Sequence, residues 1–431
     1  MSKEENRKNF SKYVSQNILG MIGFSCYVLA DSYFISIAKG ADGLTALNLV
    51  MPLYSIIFSI GEMIGVGSAI RYAISKIKKD ADADDYFWNA LIWCIMSSMI
   101  FVFAGIFFSA DIMRVLGADE HIVAVGNNYT KIFMCFAPMF MCNYVTNAFV
   151  RNDGAPGIAM SATLFSSLFN IVFDYILMFP MNLGMEGAAL ATALSPIIGM
   201  GICSIHFFSK KSSVRLVVCK PSVRKLVAGC QLGISAFVGE MSSAVITLAF
   251  NFVILKLAGN VGVAAYGVVA NIAIVTTAVF NGVAQGSQPL ISSCFGRGDK
   301  DGCTQLKRMG YTTAFVLAAV MYSILFIFAG QFVAVFNSEG SEMLRLYATE
   351  GVKLYFIGIF FAGINIVGGG AFSATEDAFK AAVVSVARGF VLILGAVFVM
   401  SALFGMTGVW LAYAVAEGIT TFIMLVMVLR V

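Results

Sequence analysis

Long apolar runs separated by short polar stretches dominate the pattern along this chain. A helix rises about 1.5 Å per residue, so about 20 apolar residues cross the roughly 30 Å hydrocarbon core of a bilayer. With the polar breaks taken as loops, the pattern predicts twelve membrane-spanning helices, at about 14–37, 46–75, 87–110, 122–149, 158–180, 187–208, 228–257, 263–293, 309–336, 343–372, 379–403 and 408–430. The predicted fold is an all-α membrane protein.

The composition excludes a water-soluble fold. Of the 431 residues, 59% are hydrophobic and 12% are charged, and the mean hydropathy is +0.86. Soluble domains carry about 25% charged residues, which cover their surface. The charged N-terminus, from Lys3 to Lys8, predicts no cleaved signal peptide. The nine cysteines include no CxxC pair, so we expect neither a disulfide nor a metal centre.

The distribution of Lys and Arg predicts the orientation. Twenty of them fall in the N-terminal tail, the loops after even-numbered spans and the C-terminus, whereas the opposite loops hold four. Loops rich in Lys and Arg stay in the cytosol. The pattern therefore predicts a multi-pass protein of the plasma membrane with both termini cytosolic.

The two halves of the chain resemble each other. The segment GMEGAALATA (184–193) returns as GMTGVWLAYA (405–414), with six of ten residues identical at an offset of 221. Two other blocks recur in the same order at offsets of 219 and 222. Because six helices is an even number, the copies enter the membrane from the same face, which is a parallel repeat typical of transporters. We predict an N-terminal six-helix lobe (1–209), a basic cytosolic linker (210–226) and a C-terminal six-helix lobe (227–431).

Polar groups at one depth of the N-terminal lobe form the main candidate site. Asp31, Asp174 and Thr192 lie roughly 22–25 Å from the cytosolic end of their helices, and Asn170 lies one turn from Asp174. Burying one Asp at the membrane centre costs about 2.5–3.5 kcal/mol, so two are expected to have a function. The pattern favours a cation site. The alternative is that the polar stripe from Thr163 to Asp174 joins helices by hydrogen bonds.

A second polar stripe follows span seven of the C-terminal lobe. It contains Glu240, Ser243, Thr247 and Asn251. An acidic group in the central cleft attracts a cationic substrate or titrates, so this stripe predicts a substrate cavity or a second acidic site. The pattern leaves the roles of Glu62 and Glu417 open.

With twelve spans and the repeat, four motifs carry a resemblance to a known family. They are RNDGAP (151–156), NIVFDYILMF (170–179), GMEGAALATALS (184–195) and GVAQGSQPLIS (282–292). The chain resembles the multidrug and toxic compound extrusion (MATE) family over essentially its whole length. That resemblance implies a secondary active antiporter, which exports drugs or toxic, often cationic, organic compounds by alternating access of two lobes in exchange for Na⁺ or H⁺.

The resemblance also implies particular site residues. The cation site of bacterial members falls on Asp31, Asn170, Asp174 and Thr192, where Na⁺ is the metal ion expected. The acidic residue that one branch carries in span seven falls on Glu240. That branch has a further acidic residue in span ten, but FFAGINIVGGG (360–370) offers none, so a C-terminal cation site is in question.

Other functions fit the sequence less well. A flippase for a lipid-linked saccharide, from the same wider superfamily, often has a strongly basic cavity, whereas the central residues here are acidic. An enzyme is not expected, because the two histidines, His121 and His206, lie near loops and no HExxH motif occurs. We expect a monomer that contacts membrane lipid, takes a small organic molecule as its substrate, and uses neither a cofactor nor nucleic acid.

Overall fold

The computed structural model describes residues 3–336 and 341–429, and every regular element within them is a helix. By length and composition, nine continuous helices of these residues are able to cross a membrane, as is the pair Glu120–Cys135 and Ala137–Asn152, bent by 46°. Two of the nine contain a sharp break, at Gly259 and Gly405. Dividing them there gives twelve spans in the described residues, as predicted.

The N-terminal lobe contains α1 to α6. They are α1 Lys3–Gly40, α2 Asp42–Lys78, α3 Asp85–Val115, α4 Glu120–Cys135 with Ala137–Asn152, α5 Pro156–Met178 and α6 Gly184–Phe207.

The C-terminal lobe contains α7 to α12. They are α7 and α8 within Val223–Gly296, divided at Gly259, α9 Lys300–Ile327 with Ala329–Phe336, α10 Glu342–Ala374, α11 from Ala378 to the break at Gly405, and α12 from there to Leu429. The stretch 387–391 of α11 is a π-helix.

Equivalent backbone breaks confirm the repeat. Gly40 (φ 58°) and Gly259 (φ 62°) lie 219 residues apart and turn α1 into α2 and α7 into α8. Gly184 (φ 52°) and Gly405 (φ 59°) lie 221 residues apart, before α6 and α12. A positive φ of this kind suits glycine, which has no Cβ to clash with the backbone. The same special geometry therefore recurs at matched places in both lobes.

The first helix begins earlier than predicted. The apolar pattern begins the first span at about residue 14, but α1 begins at Lys3. Phe10 and Val14 are 4% exposed and belong to the hydrophobic core of the C-terminal lobe. Asn6 donates a hydrogen bond to Gln305 of α9 at 3.2 Å. These tertiary contacts stabilise a helical extension that the local hydrophobicity does not predict.

Each lobe has its own hydrophobic core. Tyr129, Phe133 and Phe149 lie in the core of the N-terminal lobe, and Phe280 and Trp410 lie in that of the C-terminal lobe. Large apolar side chains also cover the outside of α3, where Ile100 is 70% and Phe107 63% exposed. Such a surface suits lipid, as expected for membrane spans.

The lobes meet on the side where α1 begins and α12 ends, which we call the terminal face. Near this face α2 and α7 approach so closely that a Cβ on Gly67 would lie 2.7 Å from the backbone nitrogen of Gly233. The repeat supplies the matching contact, because a Cβ on Gly286 of α8 would lie 2.8 Å from Val14 Cα of α1. Small residues permit this close packing of helix backbones.

Candidate functional site

Four polar side chains of the N-terminal lobe lie together, as the sequence predicted. Asn170 and Asp174 on α5 are fully buried, Thr192 on α6 is 2% exposed and Asp31 on α1 is 6% exposed. Because Asn170 and Asp174 are four residues apart, they project from the same side of α5. The packing of α1, α5 and α6 completes the group.

Asn170 links Asp174 to Thr192. In the amide orientation that satisfies both neighbours, Asn170 donates to Asp174 Oδ2 at 3.1 Å, and its oxygen accepts from Thr192 Oγ1 at 3.2 Å. Asp31 lies close enough to Asp174 to interact with it electrostatically. The cluster therefore presents carboxylate, amide and hydroxyl oxygens within one buried volume.

The two carboxylates are incompletely satisfied. Oδ1 of Asp31 and Oδ1 of Asp174 are both buried and have no hydrogen-bond partner among the described residues. Neither carboxylate takes part in an ion pair with any described residue. A buried, unpaired carboxylate is costly unless a proton or a cation compensates it. Hard oxygen ligands of this kind fit Na⁺, and either carboxylate fits a proton.

The part of the α5 stripe nearer the terminal face has the simpler role that the sequence left open. Thr163 Oγ1 accepts from Asn147 Nδ2 at 3.2 Å, and Ser166 Oγ donates to the backbone oxygen of Ser195 at 2.7 Å. These bonds join α5 to α4 and α6. The stripe therefore holds helices together at one end and carries the unpaired carboxylate at the other.

Glu240 on α7 faces the N-terminal lobe. It interacts electrostatically with Tyr27 of α1, with Glu62 of α2 and with Tyr144 of α4. Glu240 therefore lies on the side of α7 that is turned toward the N-terminal lobe. Further along the predicted stripe, Ser243 and Thr247 are exposed and Asn251 is half-buried.

Similarity to known proteins identifies the family of this chain. The MatE family model matches residues 17–176 and, again, residues 236–399, so one match falls in each lobe. This chain belongs to the MatE family. The resemblance seen in the sequence is therefore confirmed over both halves.

Curated relatives of this MatE chain match most of its length. It is 27% identical over 414 residues to the multidrug export protein MepA of Staphylococcus aureus (strain MRSA252), covering 93% of this chain and 89% of that protein. It is 26% identical over 405 residues to MepA of Staphylococcus saprophyticus, with the same coverage.

Solved structures confirm the fold of the MatE chain. An outward-facing multidrug resistance MATE family transporter of the MOP superfamily superposes with a TM-score of 0.92 at 20% identity, covering 99% of this chain and 96% of that one. A MOP superfamily transporter from Pyrococcus furiosus, described as having a binding pocket of reversed polarity, gives a TM-score of 0.90 at 20% identity, covering 98% and 95%.

Sequence reasoning missed a polar chain that crosses the lobe interface of this MatE protein. Gln285 of α8 donates to Glu62 Oε1 of α2 at 3.0 Å, and its own oxygen accepts from Arg151 of α4 at 2.6 Å. Glu62, whose role the sequence left open, is thus bonded to the opposite lobe. A neutral amide such as Gln285 gives no signal in an apolar pattern, so only the packing of the lobes reveals it.

Sequence reasoning also missed the ion pairs of Glu376 and of Glu417. Glu376, in the loop before α11, pairs with Arg71 of α2 and lies 3.5 Å from Lys78 Nζ, which joins the lobes at the terminal face. Glu417 of α12, also left open, pairs with Arg388 of α11 at 2.7 Å inside the C-terminal lobe. Arg388 stands in the apolar run VARGFVLIL (386–394), and its charge there was the available signal.

Proposed function

We propose that this protein is a secondary active antiporter, which exports drugs or toxic organic cations in exchange for Na⁺ or H⁺. The observation that carries the proposal is the pair of buried carboxylates, Asp31 and Asp174, each with an unsatisfied oxygen. Membership of the MatE family and the multidrug export proteins among its relatives support the export of small organic molecules.

The proposed ion site uses Asp31, Asn170, Asp174 and Thr192. Two like charges this close repel each other, so a bound cation or a proton stabilises the site. The amide of Asn170 keeps Asp174 and Thr192 in register, since it bonds to both of them. Binding of the ion from outside thus changes the free energy of the N-terminal lobe, which is what coupling requires.

The proposed substrate path is the cleft between the lobes. Glu240 on the C-terminal side and Tyr27, Glu62 and Tyr144 on the N-terminal side surround it. With both termini in the cytosol, as the Lys and Arg distribution predicts, the lobe contacts at the terminal face close the cytosolic end. Alternating access then consists of breaking these contacts and forming others at the opposite face.

Transport in proteoliposomes, with Na⁺ and H⁺ gradients imposed separately, tests the proposal. Asp31→Asn and Asp174→Asn each remove a negative charge from the ion site. Each is expected to abolish gradient-driven efflux while leaving equilibrium binding of the substrate largely intact. Asp111→Asn is the matched control, because Asp111 is an exposed carboxylate on α3 that pairs with Arg114.

The contrary outcome is clear. Normal gradient-driven efflux by a well-folded Asp31→Asn/Asp174→Asn double variant would show that the cluster only joins helices. Translocation of a lipid-linked saccharide in the same vesicles, without a response to either gradient, would favour a flippase.

A further inference from the structure

The C-terminal lobe holds a buried carboxylate that forms an ion pair with an arginine side chain. Glu417 on α12 has a side chain 3% exposed, and Arg388 on α11 has one 15% exposed. The Arg388 guanidinium donates to Glu417 Oε1 through Nη2 at 2.7 Å and through Nε at 3.0 Å. Two N–H groups of one guanidinium thus converge on the same carboxylate, which gives a strong, charge-assisted contact.

The remaining oxygen of Glu417 is also satisfied. Asn365 of α10 donates to Oε2 at 2.7 Å, and Thr421 Oγ1 in turn donates to the amide oxygen of Asn365 at 3.0 Å. A buried ion pair is stable when its lone pairs are filled in this way. In contrast, Asp31 and Asp174 of the N-terminal lobe each keep an oxygen to which no residue in the described part of the chain bonds.

The internal repeat relates the position of the Arg388–Glu417 pair to that of the N-terminal cluster. At the offset of 221, α11 and α12 correspond to α5 and α6, Arg388 corresponds to Ser167, and Glu417 corresponds to Pro196. Ser167 lies about one helical turn before Asn170, and Pro196 lies about one turn after Thr192. Because α5 and α6 run in opposite directions, both shifts are toward the terminal face. The ion pair therefore lies on the equivalent helices, about one turn closer to that face than the N-terminal cluster.

The oxygen ligands of the N-terminal cluster are missing from its C-terminal counterpart. Asp174 corresponds to Gly395 and Thr192 to Tyr413, at the offset of 221. Asp31 corresponds to Phe250 at the offset of 219 that relates the first helices. Where α5 and α6 carry the unpaired ligands of the N-terminal lobe, α11 and α12 thus carry an ion pair that is already neutralised.

The backbone around Arg388 is specialised. Residues Ala387–Val391 form a π-helix, in which the Leu392 N–H bonds to the oxygen of Ala387 five residues earlier. A π-turn of this kind rotates the side chains that follow relative to an α-helix and often occurs at functional sites. Here it coincides with the arginine that neutralises Glu417.

We propose that Arg388 is a tethered cation, which keeps the place beside Glu417 that a coupling ion would otherwise take. Arg is always protonated in proteins and a tethered group cannot leave, so Glu417 neither binds Na⁺ nor releases a proton during the cycle. The equivalent helices of the two lobes then have different tasks: α5 and α6 help to exchange the ion, and α11 and α12 keep a fixed, paired charge. This inference rests on the proposed ion-coupled function.

Counting bound ions tests the proposal. Purified protein is titrated with radiolabelled Na⁺ and, separately, with acid while proton uptake is followed by a pH indicator. Arg388→Gln leaves Glu417 without its cation, so this variant is expected to bind one further ion per molecule. Arg388→Lys keeps the charge and is expected to keep the wild-type number. Arg388→Gln/Glu417→Gln removes both charges and is expected to return to the wild-type number.

Glu417→Gln alone gives an independent result, should Arg388→Gln fail to fold. The proposal expects no loss of bound ion in Glu417→Gln, because Glu417 carries none in the native protein. Loss of one ion in this variant, or an Arg388→Gln variant that is folded and binds the wild-type number, would overturn the tethered cation. Asp174→Asn, measured in parallel, tests the N-terminal site. An unchanged number of bound ions in this variant would contradict the proposed function, whereas the variants of Arg388 and Glu417 test the tethered cation.

Discussion

Gly67 on α2 is the position where one added methyl group tests how the lobes close. In the structure, a Cβ on Gly67 would lie 2.7 Å from the backbone nitrogen of Gly233 and 2.8 Å from the carbonyl carbon of Gly229. Both partners are backbone atoms of α7, so no side-chain rotation removes the contact. Gly67→Ala is therefore expected to disfavour the conformation in which the lobes are joined at the terminal face.

The size of the effect follows from these distances. Ordinary van der Waals contact begins at 3.4 Å, so the contact with the Gly233 nitrogen alone requires α2 and α7 to move apart by 0.7 Å, from 2.7 Å to 3.4 Å. The carbonyl oxygen of Gly229 lies nearer still and requires a larger movement. Overpacking of a tight contact typically costs about 1–3 kcal/mol. If that cost applies to the closed conformation alone, its population relative to the open one falls by about 5- to 150-fold.

The assay measures the separation of the lobes at the terminal face. Spin labels at Ala81→Cys, in the loop before α3, and Thr304→Cys, on α9, report on the two lobes, since both residues are exposed. The nine native cysteines, all free, are replaced first. In nanodiscs, pulsed electron paramagnetic resonance is expected to show a longer distance population in Gly67→Ala than in the labelled parent.

Gly239→Ala is the matched control. Gly239 lies on α7, and a Cβ there would meet nothing within 4 Å. Both substitutions raise helix propensity by the same amount, about 1 kcal/mol, so their difference isolates the interface contact. Equal distance distributions and equal transport rates in the two variants would refute the reasoning.

Three further predictions concern charge and ion ligands. Glu240→Gln is expected to weaken export of cationic substrates by about 5- to 10-fold, with little effect on neutral ones, because a charge pair at 4 Å contributes about 1 kcal/mol even in water; equal loss for both classes would assign Glu240 to coupling or to folding. Thr192→Ala removes one oxygen ligand, so Na⁺-driven efflux is expected to fall several-fold more than H⁺-driven efflux, and parallel losses would exclude a ligand role. On the side opposite the terminal face, the Asp42 carboxylate accepts from His121 at 2.9 Å and raises the pKa of His121 above its usual value. That contact is fully formed below about pH 6.5 and is lost as the pH rises through the raised pKa; an NMR titration is expected to show a lower His121 pKa in Asp42→Asn, and an unchanged pKa would contradict the contact.

The sequence by itself determined the membrane fold and the N-terminal cluster. Twelve runs long enough to cross a bilayer and a repeated half leave few other architectures, because backbone polar groups in lipid must bond within helices. Asp31 and Asp174 were predicted together because a helix converts residue number into depth. Depth and the facing side of one helix are local quantities, which the order of residues fixes.

Only the tertiary structure decided which polar groups meet between helices. Arg388 and Glu417 lie 29 residues apart on different spans, and Gln285 bridges two residues of the other lobe. Their contacts depend on the rotation and packing of whole helices, which the periodicity of a single helix does not encode. For the same reason the start of α1 was predicted too late: Phe10 and Val14 are buried by the opposite lobe, and nothing local to residues 3–13 shows that this partner exists.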